Sequence, residues 1–128
     1  MNWTFLAHLF ATLFMTGLIW FVQIVHYPLM GKVSPDVFVE YEQHHQRLTT
    51  YVVMPAMLLE IGTACLLLFF AYQNNTLVNL FWVNGILLVF IWASTFFIQV
   101  PLHTQLSSGF AAEAQQKLVG TNWVRTVL

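Results

Sequence analysis

Charge is the scarcest feature of this sequence: only 7% of its 128 residues are Asp, Glu, Lys or Arg, against about 25% in an ordinary soluble domain. A water-soluble chain of this size exposes too much surface to carry so few charges. Basic residues number four against five acidic ones, for a net charge of −1, which leaves no electrostatic footprint for nucleic acid. Cysteine occurs once, as Cys65 in an apolar run. That excludes a disulfide framework and reads as a small buried packing residue. The N-terminus lacks the basic segment of a cleaved signal peptide, and its apolar stretch runs well past the roughly 7–15 residues of a signal core. It reads as a retained spanning helix.

What remains is apolar: 59% hydrophobic residues and 16% aromatics, with a mean hydropathy of +0.71. The expected fold is all-α, a polytopic membrane four-helix bundle within a single domain over residues 1–128. The first span covers 3–27, and at a rise of about 1.5 Å per residue it crosses a hydrocarbon core of roughly 30 Å. Trp3, Trp20 and Tyr27 suit interfacial belts, and His8 reads as an interfacial residue of no special role. Pro28 and Gly31 are expected to stop this helix.

Ser34-Pro35-Asp36 reads as a helix start. The polar segment 35–47 is either an interfacial helix or the protruding start of the second span, 49–72. Val37, Phe38, Tyr41, His45 and Leu48 line one face of it, and Glu40, His44 and Arg47 another. Pro55 is expected to kink the second span. The turn 73–76 has Thr76 as N-cap, and the third span, 77–100, ends at Pro101. A last helix, 110–128, is too short to cross. Either it lies at the interface or it begins a fourth span completed beyond Leu128; Asn122-Trp123-Val124-Arg125 followed by Thr-Val-Leu favours the second.

All four basic residues (Lys32, Arg47, Lys117, Arg125) fall on one side by this count. The positive-inside rule then predicts an inner-membrane protein with an outside N-terminus and cytoplasmic charged loops. His26, His44, His45 and His103 lie on that same charged side. Span three adds a stripe of Trp92, Thr95, Gln99 and His103, and the last helix adds Asn122 and Arg125. Polar groups at such depth are costly and should face the bundle interior.

His26, His45 and His103 form the preferred trio, with Glu60 near mid-membrane as the sharpest single residue. They are candidate catalytic groups, as acids and bases or, for Glu60, a proton relay. Gln23, Tyr41, Arg47, Gln99, Asn122 and Arg125 are candidate substrate-binding residues. Imidazoles from three helices also suit a transition metal such as copper or iron. No His-x-x-His, Glu-x-x-His or cysteine motif supports one. A metal-free substrate pocket and an absence of chemistry both stay open.

Val25-His26-Tyr27-Pro28-Leu29, His45-Gln46-Arg47-Leu48-Thr49-Thr50 with Pro55 and Glu60, Pro101-Leu102-His103 and Thr121-Asn122-Trp123-Val124-Arg125-Thr126 together resemble small bacterial four-helix membrane proteins similar to the anthrone-oxygenase-like family. The resemblance covers the whole chain. It implies oxidation of a hydrophobic aromatic or quinol-like substrate at His26, His45, Arg47, Glu60, His103, Asn122 and Arg125. Glu42 departs from it, standing where a histidine is expected. The competing expectation is a small accessory subunit of a larger membrane complex or a homo-oligomer. A transporter fits less well, because neither an inverted repeat nor a pair of broken helices is present. The lipid bilayer is the one partner common to every reading.

Overall fold

A computed structural model describes residues 2–128. It contains four helical rods and, among the described residues, no strand. The first rod comprises α1 (Asn2–Phe21), a π-helical turn (Val22–His26) and α2 (Tyr27–Met30). The second is one helix, α3 (Pro35–Asn74). The third comprises α4 (Val78–Ser94), a second π-helical turn (Thr95–Gln99) and α5 (Val100–Leu106), and the fourth is α6 (Ala112–Val127). The segments Trp3–Met30, Pro35–Asn74 and Val78–Leu106 are each long and apolar enough to cross a membrane. The chain is an integral membrane protein by that measure, and α6 has only 16 residues.

The outward surface agrees with lipid contact. Phe97 is 81% exposed, and Trp82, Phe69, Phe90 and Leu13 are exposed as well. Around a membrane helix such side chains meet hydrocarbon at no cost, so the inward face is the informative one. On α3 that face is a ladder at steps of three and four: Phe38 and Glu42 are buried at one end and Met57, Glu60, Ala64, Leu67 and Ala71 further on, with half-buried Gln46, Thr49 and Val53 between them.

Several expectations change. Pro28 and Pro101 do not end their helices. Each lies two residues beyond a π-helical turn, at the start of resumed α-helix. A π-helical turn widens the backbone, so a proline following it is accommodated where its missing N–H would otherwise break the ladder. Gly31 is the residue that closes the first rod. The Gln115 amide packs over it, and a side chain at position 31 would meet that amide. The polar segment 35–47 is the protruding start of a continuous α3, which runs on through Pro55.

Thr76 is not the N-cap of α4; Leu77 is, with φ 55°, after Asn75 at φ 49°. His8 is buried between the helices, and its Nδ1 lies 3.0 Å from Thr63 Oγ1. Cys65 is exposed rather than buried. It follows Ala64 on the inward ladder and is turned away by one helical step.

The rods are joined at one end by a compact core of Tyr27, Met30, Phe38, Leu106, Ala114 and Leu118. Phe38 meets Phe110 edge-to-face at 4.9 Å. α6 packs there against both the first and the third rod. Phe38→Ala should therefore lower detergent-solubilised stability by about 3–5 kcal/mol, as for a buried Phe. Phe97→Ala on the lipid face should change it by under about 0.5 kcal/mol. Paired thermal-unfolding curves check both.

Candidate functional site

The two π-helical turns do more than admit proline: each places a buried glutamine against α6. The Asn122 amide donates to Gln23 Oε1 at 2.8 Å, and Gln23 Nε2 donates to the Val119 carbonyl at 3.3 Å. From the other side Gln99 Nε2 donates to Thr121 Oγ1 at 3.1 Å. Successive residues Thr121 and Asn122 thus receive the third and first rods. Arg125 Nη1 donates to Asn122 Oδ1 at 3.4 Å. π-helical turns recur where a helix must present a polar group out of register, and both of these do so.

At the same end the helices bring three histidines together. The rings of His26 and His45 stack with centroids 4.1 Å apart, and His45 and His103 are 5.6 Å apart. Tyr41 lies nearly parallel to His45 at 6.3 Å. His103, carried past Pro101 by α5, is the best-placed of the three. Its Nδ1 lies 2.6 Å from Glu42 Oε1, and its Nε2 lies 3.4 Å from the Tyr27 hydroxyl. Gln46 Nε2 donates to Glu42 Oε1 at 3.3 Å and to the His103 backbone carbonyl at 2.7 Å.

Glu42 is completely buried. In the tautomer with the proton on Nδ1, that N–H donates to the Glu42 carboxyl and the Nε2 lone pair faces the Tyr27 hydroxyl. Carboxylate, imidazole and acceptor nitrogen are thereby arranged for proton transfer.

Beside this group lies a cavity of about 200 Å³ between the three long rods. Tyr27, His45, Gln46, Gln99, His103 and Arg125 form its polar end. Met15, Val53, Met54, Met57 and Phe96 are among its apolar walls. His26 and Tyr41 lie on the other side of His45, lining an outer groove with Glu40 and His44. His45 is the residue common to the cavity and the groove.

Glu60 is buried, as the sequence suggests, but it does not join the histidines. Thr12 Oγ1 donates to its Oε1 at 2.8 Å, and it lines a separate cavity. Arg47 is exposed and off both cavities. Gln23 and Asn122 are buried, yet they bind each other rather than lining the 200 Å³ cavity. Arg125 lines both cavities. At the exposed rim the Lys117 ammonium, 2.9 Å from Glu113, holds that carboxyl below its ordinary pKa.

The metal reading of His26, His45 and His103 does not fit this arrangement. Among the described residues no group of three His, Cys, Asp or Glu side chains is placed to hold a metal ion. The reason is geometric. His26 and His45 offer each other ring faces rather than lone pairs, while Glu42 claims His103 Nδ1. Reading the sequence missed Glu42, although it stands on the same three-and-four ladder as Glu60.

Fold and site together define an integral membrane helical bundle with a carboxylate–histidine pair at the polar end of an internal cavity. No family model, no curated protein and no solved structure matches the chain.

Glu42→Leu removes the acceptor and leaves the half-buried His103 Nδ1–H unmet. It should cost about 1–3 kcal/mol of stability. Glu42→Gln should retain the fold but shift the His103 imidazole ¹⁵N resonances, because an amide replaces the carboxyl that meets Nδ1. Thermal unfolding and ¹⁵N-histidine NMR check the two outcomes.

Proposed function

We propose that this chain is a membrane enzyme of oxygenase type, acting on a hydrophobic phenolic or quinol-like aromatic held in the 200 Å³ cavity. One observation carries the reading: an apolar cavity ends at His103, whose far nitrogen is held by the buried Glu42. A flat apolar substrate would be desolvated by Met54, Met57 and Phe96, with its oxygen toward Tyr27 and Arg125. A guanidinium and a phenol hydroxyl stabilise negative charge developing on such an oxygen. On binding, the substrate oxygen would draw the Tyr27 hydroxyl away from its 3.4 Å contact with His103 Nε2; the freed Nε2 would take the acidic C–H or O–H proton, and Glu42 would stabilise the imidazolium that results.

Molecular oxygen is the oxidant. With anthrone as the probe, the balance is one anthrone and one O₂ giving one anthraquinone and one water. The ketone's activated methylene is oxidised to a carbonyl and dioxygen is reduced. The resemblance to anthrone-oxygenase-like proteins supports this probe, and no metal enters the scheme. Glu60 has no step in it.

Purified protein in nanodiscs should consume anthrone and O₂ one to one, followed by quinone absorbance and an oxygen electrode. His103→Gln should slow the reaction by at least about 100-fold, the contribution of a positioned general base. A wild-type rate equal to that of empty nanodiscs would overturn the reading. Stable co-purification with larger subunits would favour an accessory role instead.

We also propose a bacterial inner-membrane location with the histidine end cytoplasmic, since Lys32, Arg47, Lys117 and Arg125 follow the positive-inside bias. In a Cys65→Ala background, Lys32→Cys should react with a membrane-impermeant maleimide in inside-out vesicles and not in intact spheroplasts.

A further inference from the structure

The polar end of the 200 Å³ cavity holds two hydrogen-bonding atoms without partners. The cavity walls belong to the three long rods, and Arg125 alone reaches in from α6. Gln99 is 2% exposed and is turned toward α6 by the second π-helical turn. Hydrogen bonding fixes which way its amide points. The Thr121 hydroxyl donates to the Lys117 carbonyl at 2.7 Å, so its oxygen remains as an acceptor for Gln99 Nε2. Gln99 Oε1 lies at the other end of the amide, buried, and meets no donor among the described residues.

Arg125 supplies the converse. Its Nη1 is engaged by Asn122, while its Nε is buried and meets no acceptor among the described residues. Thr121 and Arg125 are one turn apart on α6 and share a face, so the free acceptor and the free donor belong to one corner of the cavity. They do not satisfy each other. A buried donor or acceptor left unmet carries its full desolvation cost, and such groups in a native interior ask for an occupant that answers them.

We infer that Gln99 is a specificity residue of this cavity and selects an un-ionised phenol, whose hydroxyl donates to Gln99 Oε1 and accepts from Arg125 Nε. A hydroxyl answers both atoms with a single oxygen. A ketone, an ether or a phenolate only accepts, and each leaves Gln99 Oε1 unmet. An ammonium only donates and leaves Arg125 Nε unmet. The inference rests on the oxidation reading for the cavity's role as an aromatic site, and it adds the form in which the aromatic is held: the oxygen turned toward Arg125 carries its proton. Anthrone meets this requirement as its enol tautomer, which has such a hydroxyl.

Equilibrium binding to the whole chain in nanodiscs, with empty nanodiscs subtracted, tests this with two probes of one ring system: 2-naphthol and its methyl ether, 2-methoxynaphthalene. At neutral pH the naphthol is un-ionised. It should bind saturably, one per chain, and at least about tenfold more tightly than the ether, as expected for one unmet buried group. Gln99→Met keeps the bulk and removes Oε1, so the two probes should then bind within about twofold of each other. A merely structural loss, through the bond to Thr121, would weaken both probes alike and preserve their ratio; that outcome would count against the proposal. His103→Gln should keep the preference. Its loss there would assign the hydroxyl to His103 and overturn the proposal, and this variant decides alone if Gln99→Met does not fold. Equal affinity of the wild type for the two probes, or no saturable naphthol binding, would also overturn it. Binding needs no O₂, so the two readings fail separately. A protein that prefers naphthol but leaves anthrone unoxidised keeps this inference and loses the oxidation, and one that oxidises anthrone without the preference does the reverse.

Discussion

Glu42 is wholly buried near the end of a membrane bundle, and the protein has to meet that carboxylate from within. His103 and Gln46 meet its Oε1, Tyr27 backs His103 from the far nitrogen, and Oε2 stays buried without a partner among the described residues. These residues belong to α3, α5 and α2, so one carboxylate ties together all three long rods. Backbone and side-chain polar groups in a bilayer have no water to fall back on. Phe38, four residues earlier, and Leu106, three residues after His103, close the apolar core over this polar centre.

The same constraint accounts for α6. That helix has little apolar character of its own, with a charged first half and a polar Thr121-Asn122 step. Gln23 and Gln99, thrown inward by the two π-helical turns, hold it by hydrogen bonds from opposite sides. Helix association in a membrane depends on packing and polar contacts rather than on burial from water. Two glutamines aimed at adjacent residues of one helix supply that contact and set its register.

Much of this was readable in the residues. The three long apolar runs, the start at Ser34-Pro35 and the meeting of His26, His45 and His103 follow from hydropathy, capping and side-of-membrane counting. Boundaries at Pro28 and Pro101 were not readable, because proline stops a helix in the ordinary ladder and the π-helical turns that accommodate it leave no composition signature. The inward face of the polar segment was also rotated. Val37 and Leu48 look like core residues and are exposed, whereas Glu42 looks like a solvated charge and is buried. A ladder extended back from Ala71 through Leu67, Ala64, Glu60 and Met57 reaches Glu42 and Phe38. In a lipid-facing helix hydrophobicity says little about direction, and small and polar residues mark the inside. Glu60's separation from the histidines needed the three-dimensional packing of α1 and α4.

The central claim is that Glu42 and His103 act as one coupled pair around which the rods assemble. A double-mutant cycle of Glu42→Gln and His103→Gln on unfolding free energy tests it most directly. Coupled residues in one buried network give interaction energies of about 0.5–3 kcal/mol, and a value in that range is predicted. Additive losses, with an interaction energy near zero, would contradict the account.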